Sequence, residues 1–582
     1  MRALHQRGPM ILALLATAVA GCHRSPAPAA AVTSAPAPPA RSNGWAVFRD
    51  DFLESYFKAE PAFAVTTGRH EFDGQLPDWS SAGIASELKT LHTDRDRARG
   101  FKDSALSDAE RFERDSVIAR IDHDLFWIET AEKPFLNPAY YIDSLDPAAY
   151  LTRAYAPLET RMRAFITYER AVVTAAGQIR ANLRLPLARP LLEHGLAAFK
   201  GFADFYHDDA AKVFASVADE ALQAQLRQSS NAAEAAMRDL SAWLAANRKS
   251  ASGDFALGER RFTQMLAVTE RVTTPLAQLE KVADADLARN LAALRAACTV
   301  FLPGKTLAAC VEKAGQNKPA GGSVEGARRQ LAELQSFIEA KGLVSIPGSE
   351  QALVAEAPAY KRDNFAYIDI PGPFEKGAAS VLYIAPPDPS WSLKIQHDYL
   401  PGRADLLFTS VHEVWPGHFL QFLHSNRSGA TVNRVFIGYA FQEGWAHYAE
   451  ELMWEEGLGN GDPETHIGQL THALLRNVRF VCAIGMHTRG MKPAECERLF
   501  REEGYADAGD ARQQAERGAY DPEYLDNTMG KLMIRKLRDD WTRTRGGEAA
   551  WRDFHDRFLS YGGPPIPMVR AAMLGNDAGA LF

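Results

Sequence analysis

The chain has 582 residues, of which 46% are hydrophobic and 24% are charged, so it can build a large globular core. Its formal net charge is -8, and no long run of lysine or arginine appears. This composition excludes an ordinary basic nucleic-acid-binding protein, and we expect no nucleic-acid partner.

The first 22 residues are typical of a lipoprotein signal peptide. Arg2 and Arg7 precede an apolar run, residues 10–19, that is too short to span a bilayer. The run leads into Val19-Ala20-Gly21-Cys22, which has the form of a lipobox, so acyl chains on Cys22 would anchor the protein to a membrane. An ordinary signal peptide is the alternative. We predict a protein of the cell envelope, either a periplasm-facing lipoprotein or a secreted protein.

Residues 23–44 are rich in proline and alanine and are predicted to form an extended tether. The rest of the chain, residues 45–582, is predicted to be one mainly helical domain. Apolar residues recur at helical intervals over 47–57, and residues 219–247 form a long segment that is rich in alanine and leucine.

Residues 265–298 form a second long amphipathic segment. Pro275 lies within it and is predicted to start or kink a helix, because proline is tolerated in a first turn but not in a helix interior. Residues 304–322 are predicted to be a loop-rich connection, and residues 328–341 are predicted to return to helix.

Four cysteines follow the tether, and they lie close together in sequence as two pairs. An oxidising compartment permits disulfides. Among the three possible connectivities, we favour Cys298–Cys310 and Cys482–Cys496. Four buried free thiols are the alternative. The spacing of the cysteines matches no zinc site.

Two short runs near residues 365–370 and 381–384 are rich in aromatic and β-branched residues, and proline and glycine bound both. They predict a small sheet just before a helix over residues 406–425. That helix contains His412-Glu413-Val414-Trp415-Pro416-Gly417-His418.

A His-Glu pair followed by a second histidine is typical of zinc hydrolases, in which two histidines four residues apart share one helix face. Here His412 and His418 are six residues apart, which puts them about 240° apart on a regular helix. Pro416 and Gly417 lie in the interval. A distortion there that takes up two residues would bring the histidines together, and Glu413 could then act as the general base.

These motifs resemble the bacterial domain-of-unknown-function 885 family, whose pattern is H-E-x-x-P-G-H followed by E-G-W. The segments that carry the resemblance are 399–405, 412–421, 443–450, 485–487, 521–522 with 530–532, and 561–570. The resemblance implies a secreted zinc peptidase related to gluzincins. One departure is Asp526-Asn527, where the family pattern has a tyrosine. If that tyrosine stabilises an oxyanion, Asp526 and Asn527 cannot supply its phenol group.

Three side chains could supply a third metal ligand, namely Glu443, His447 and Glu450. The resemblance favours Glu443, because glycine and tryptophan follow it. His447 and Glu450 would then orient the ligands, or else form a solvated helix face.

Two further residues are candidates for contact with a substrate. By analogy with gluzincins, His487 could donate a hydrogen bond to the developing oxyanion, and a satisfied interior histidine is the alternative. Arg479 could pair with a substrate carboxylate, or it could be a structural ion-pair partner.

We therefore predict a mainly α, zincin-like helical domain with a small β-sheet next to the active-site helix. The predicted function is zinc-dependent hydrolysis of peptide substrates in the cell envelope, with His412, His418 and Glu443 as zinc ligands and Glu413 and His487 as catalytic residues. A cell-wall amidase and a non-catalytic, membrane-tethered peptide-binding protein are the alternatives.

Overall fold

The computed structural model describes residues 44–582 apart from 359–360, 363 and 576–577. The described residues form one compact unit. The predictions for the signal peptide, Cys22 and almost all of the tether lie outside the described residues. Within the described part of the chain, no helix is both long enough and apolar enough to cross a membrane.

The N-terminal half is helical. In chain order its helices are α1 (Trp45–Ala59), α2 (Pro61–Thr66), α3 (Ser81–Gly100), α4 (Asp108–Leu125), α5 (Lys133–Leu136), α6 (Ala139–Ile142), α7 (Ala148–Thr152), α8 (Leu158–Asn182), α9 (Arg189–Asp208), α10 (Ala210–Val213) and α11 (Glu220–Ala246). Helices α1 and α11 confirm the predictions for residues 47–57 and 219–247.

The C-terminal half is also mainly helical. Its helices are α12 (Gly258–Thr269), α13 (Leu276–Phe301), α14 (Leu307–Gly315), α15 (Gly322–Lys341), α16 (Leu393–Tyr399), α17 (Arg403–Glu413), α18 (His418–Ser425), α19 (Thr431–Val435), α20 (Tyr439–Glu455), α21 (Pro463–Thr488), α22 (Pro493–Glu502), α23 (Ala508–Tyr520), α24 (Asp526–Thr542), α25 (Trp551–Ser560) and α26 (Ile566–Leu574).

The prediction that Pro275 starts or kinks a helix is confirmed, because α13 begins directly after it, where its missing N–H costs no helical bond. The segment 265–298 is thus divided between α12 and α13. Two other predictions for this half need correction. The connection 304–322 contains α14, which Thr306 caps through its side chain. The expected motif helix 406–425 is two helices, α17 and α18.

A three-stranded sheet lies beside α17. Its strands are β1 (Ala352–Glu356), β2 (Ala366–Asp369) and β3 (Ser380–Ile384), in the spatial order β1-β3-β2. Strand β3 is parallel to β1 and antiparallel to β2, with Tyr367 opposite Tyr383. The two expected strands are confirmed, and β1 was not predicted. Strand β2 is therefore an edge strand of the described sheet.

The N-terminal helices hold strand β2 in place. Arg153, which follows α7, forms an ion pair with Asp369 of β2 at 2.7 Å and donates to the carbonyl of Thr66 at the end of α2. Phe436, just ahead of α20, packs in the N-terminal hydrophobic core, where its ring lies 4.8 Å from that of Tyr56. Both contacts connect the N-terminal helices to elements that carry the site described below.

Two disulfides confirm the predicted pairing. Cys298 of α13 is bonded to Cys310 of α14, and Cys482 of α21 is bonded to Cys496 of α22. Each bond joins two consecutive helices across a short connection. All four cysteines are buried.

Glu169 of α8 is completely buried and accepts hydrogen bonds from Ser229 and Ser230 of α11. Burial raises the pKa of Glu169 to about 7, although the two hydroxyl groups act to lower it. Because this pKa is above the ordinary value of 4.5, the protonated carboxyl favours the folded state. That contribution is complete below about pH 4.5 and is lost as the pH rises through about 7.

We therefore expect Glu169→Gln to weaken the pH dependence of stability. Between pH 5 and pH 8 the variant should lose less unfolding free energy than the wild type, by roughly 1–3 kcal/mol, because its side chain does not ionise. Urea unfolding at the two pH values measures the difference. The same loss in both proteins would contradict the role given to Glu169.

Candidate metal centre

The helix that carries the motif is interrupted between its two histidines. Helix α17 ends at Glu413 and α18 begins at His418. Across the break, the N–H of Gly417 donates to the carbonyl of Val411 at 3.0 Å, which is six residues back instead of the usual four. The break therefore takes up two residues. The rings of His412 and His418 lie on the same side, with their centroids 4.7 Å apart.

Two neighbouring contacts explain the residue types at this break. A Cβ atom on Gly417 would lie 1.8 Å from the carbonyl oxygen of His412, so only glycine fits there. Trp445 of α20 donates from its indole Nε1 to the carbonyl of Pro416 at 2.8 Å. The tryptophan of the E-G-W motif thus satisfies a backbone carbonyl that the interrupted helix leaves free.

The break brings His412, His418 and Glu443 together. They are the group of potential metal ligands found among the described residues. Nε2 of His412 lies 3.6 Å from Oε2 of Glu443, and Nε2 of His418 lies 3.5 Å from Oε1 of Glu443. Ligands at roughly 2.0–2.2 Å from a tetrahedral ion are roughly 3.3–3.6 Å apart. The donor types and their separations therefore fit a zinc ion.

A layer of buried polar groups orients His412. Glu450 contacts the ring of His412, with its Oε1 at 2.7 Å from Nδ1 of His412. The other carboxylate oxygen of Glu450, Oε2, lies 3.3 Å from Nδ1 of His447. The first contact leaves Nε2 of His412 directed toward Glu443. Glu450 and His447 are both fully buried, so the alternative of a solvated helix face is wrong.

Arg476 of α21 belongs to the same layer, although the sequence analysis did not identify it. Its Nη2 lies 3.1 Å from Nδ1 of His412 and 3.4 Å from Oε1 of Glu450. Sequence spacing gave no signal for this contact, because Arg476 and His412 lie 64 residues apart on different helices. The carboxylate-histidine arrangement resembles the outer layer that commonly fixes histidine ligands.

Helix α24 places Asn527 against the third candidate ligand. Helices α20 and α24 cross where Gly444 meets Gly530, since a Cβ on Gly444 would lie 2.6 Å from the Gly530 backbone. Asn527 donates from Nδ2 to Oε2 of Glu443, and its Oδ1 accepts from Nη1 of Arg479 at 3.2 Å. The residue that departs from the family pattern therefore orients Glu443.

Burial and neighbouring charges shift the pKa values of the histidines in opposite directions. Burial lowers the pKa of His418 to about 4. Burial and Arg476 act to lower the pKa of His412, but hydrogen bonds with Glu443 and Glu450 outweigh them and raise it to about 9. Burial acts to raise the pKa of Glu443, but the two histidines outweigh burial, and the pKa lies far below its ordinary value. Glu443 is thus ionised, as a metal ligand must be.

Glu413, the last residue of α17, interacts both with the candidate ligands and with the sheet. Burial raises the pKa of its carboxyl to about 7, and the charge of Glu443 adds to that shift. The backbone N–H of Ile368 in strand β2 forms a hydrogen bond with the same carboxyl. A carboxyl with a pKa near neutrality is suited to general acid–base chemistry.

His487 has a different environment. Its Nε2 donates to the carbonyl of Gly518 at 2.8 Å, and its Nδ1 accepts from the N–H of Leu257 at 3.3 Å. Burial lowers its pKa to about 4. Both ring nitrogens are used within the fold, which favours the alternative of a satisfied interior histidine over the role of an oxyanion donor.

The fold and the site define a mainly helical protein with a candidate centre of two histidines and one carboxylate. Residues 61–573 match the family model described as "Bacterial protein of unknown function (DUF885)". The chain belongs to that family. A search of curated proteins gives no match.

Two solved structures are similar to this chain. One is a candidate lipoprotein of unknown function from Shewanella oneidensis, with 23% identity, a TM-score of 0.75, and coverage of 91% of this chain and 99% of that chain. The other is a candidate lipoprotein from Colwellia psychrerythraea, with 17% identity, a TM-score of 0.76, and coverage of 91% and 98%. At these identities the likeness establishes the shared fold.

Proposed function

We propose that the protein is a zinc metallopeptidase of the cell envelope with a zincin-like site. The observation that carries the proposal is the convergence of His412, His418 and Glu443 at separations suited to one tetrahedral ion, with Glu413 beside them. A zinc ion held by these residues would polarise a substrate carbonyl and lower the pKa of a bound water.

Glu413 supplies the proton transfers in this mechanism. Its carboxylate takes a proton from the attacking water and then passes it to the amine that leaves when the peptide bond breaks. The water oxygen stays in the new carboxylate. Glu450 and Arg476 hold His412 in position, and Asn527 does the same for Glu443.

Strand β2 supports a peptide as the substrate. It is an edge strand, and the N–H of Ile368 is directed at Glu413. An extended peptide can add to a strand edge through main-chain hydrogen bonds to the backbone groups there that are not already bonded, which suits a protease better than an enzyme for small substrates. A peptide bound along β2 would pass Glu413.

The test of the proposed function combines metal analysis with a digest. Purified protein is expected to contain about one zinc per chain and to cleave members of a linear peptide library, with chelation abolishing both properties. Cleavage of cell-wall peptides but not linear peptides would favour the amidase alternative. Zinc-loaded protein that binds peptides without cleaving them would favour the binding protein.

We also propose that Cys22 carries a lipid anchor, because the lipobox precedes it directly. Cys22→Ser is expected to release the protein from membranes or to block its maturation, since the acylated side chain is lost. Membrane fractionation and acyl labelling measure the effect. Unchanged acyl labelling and membrane association in the variant would refute the anchor, whereas a soluble wild type would indicate an ordinary signal peptide.

A further inference from the structure

Arg479 of α21 is a cation without an anionic partner in the part of the chain that the structure describes. Its Nε donates to Oε1 of Gln514 at 2.9 Å and its Nη1 donates to Oδ1 of Asn527 at 3.2 Å. Both partners are neutral amides. Nη2 has no hydrogen-bond partner among the described residues. Solvent can reach this atom, since it is not one of the buried polar atoms without a partner. The alternative of a structural ion pair is therefore not realised.

Two other arginines lie near Arg479. Burial and the nearby Arg517 and Arg476 lower the pKa of the Arg479 guanidinium to about 10, the opposite of the shift that a carboxylate partner produces. Arg517 lies one turn beyond Gln514 on α23, where its Nη2 donates to the hydroxyl of Tyr439 at 2.6 Å. Arg517 pairs with Asp521 at 3.0 Å and Arg476 pairs with Glu450 at 3.4 Å, whereas Arg479 has no such carboxylate among the described residues.

This cationic group lies next to the candidate metal centre. Asn527 is a bridge, since one end of its amide contacts Glu443 and the other contacts Arg479. A single side chain therefore separates the guanidinium from a metal ligand. An extended residue spans roughly 3.3–3.6 Å, so an anion on Arg479 would lie only one or two residues from a peptide bond at the centre.

We propose that Arg479 binds the C-terminal carboxylate of the substrate, so that the protein is a carboxypeptidase that releases one or two residues from a peptide end. The inference rests on the proposed function and specifies its substrate class. Nη2 offers two N–H donors to the carboxylate. Arg479 determines specificity and does not transfer protons.

Peptide binding to catalytically inactive protein tests the proposal without turnover. In the zinc-loaded Glu413→Gln protein, calorimetry compares one hexapeptide as the free acid and as the C-terminal amide. The free acid is expected to bind roughly tenfold tighter or more. Arg479→Gln should reduce binding of the free acid to the level of the amide, and Arg479→Lys should retain part of the difference.

Controls separate this effect from misfolding. Arg543→Gln removes an arginine whose side chain is 73% exposed, and it should leave both affinities unchanged. Zinc content and thermal unfolding of Arg479→Gln should match those of the parent. If Arg479→Gln does not fold, Arg479→Lys and the comparison of acid with amide still decide the result.

Three outcomes overturn the inference. Equal affinity for the free acid and the amide would show that Arg479 does not bind the C-terminal carboxylate. Tight binding of an amidated peptide with a glutamate near its C-terminus, equal to that of the free acid, would assign the site to side-chain carboxylates. If wild-type protein cleaves amidated and free peptides equally, the inference fails and the proposed peptidase stands. If zinc-loaded wild type cleaves no peptide, the proposed function itself fails.

Discussion

Glu413→Gln is expected to retain zinc and to lose peptide hydrolysis by a factor of roughly 10²–10⁴, the usual contribution of a general base. Glutamine preserves the size of the side chain and can still contact the Ile368 N–H through its carbonyl oxygen, but it cannot accept a proton from water. His412, His418 and Glu443 are untouched. Metal analysis and cleavage rates on one fluorogenic peptide measure the two effects separately.

The matched control is Glu502→Gln, which makes the same substitution at an exposed position at the end of α22. It should leave zinc content and rate unchanged. His412→Ala, in contrast, should lose both zinc and activity because it removes a ligand. Full activity in Glu413→Gln would show that another group takes the proton, and the mechanism would be wrong.

Gly417→Ala is expected to damage the site although residue 417 offers no ligand atom. The added Cβ would lie 1.8 Å from the carbonyl oxygen of His412 and 2.4 Å from that of Val411. Backbone atoms cannot rotate away from a clash as a side chain can, so the backbone between α17 and α18 must move apart. We expect a loss of roughly 2–4 kcal/mol in stability, together with weaker zinc binding.

Gly429→Ala provides the comparison for this effect. Gly429 is exposed, and a Cβ there would meet no atom within 4 Å. This variant should keep the stability and zinc affinity of the wild type. Thermal unfolding and competition with a zinc indicator measure both variants. Equal zinc affinity in Gly417→Ala and the wild type would contradict the role of the break in bringing the histidines together.

The sequence predicted the helical class well, because apolar periodicity is strong in long segments such as α11. The errors have two kinds of cause, one local and one distant. The short helix α14 follows a glycine- and proline-containing turn that concealed its cap. Strand β1 has only five residues, and its pairing with β3 depends on contacts distant in sequence.

The site shows the same division between local and distant information. The spacing of His412 and His418 implied a two-residue distortion, and the structure confirms one at Pro416-Gly417. Arg476, by comparison, could not be assigned to His412 until the fold placed α21 against α17. The surroundings of His487 also come from three separate segments, so its sequence context could not distinguish an interior histidine from an oxyanion donor.

The ion pair between Arg153 and Asp369 limits how the chain can be shortened. A fragment that starts at α12 would retain every candidate ligand and both disulfides, yet it would lack the guanidinium that fixes the strand facing Glu413. It would also lose the aromatic pocket that receives Phe436 ahead of α20. The motif-bearing half is therefore a poor unit for excision or for grafting into another scaffold.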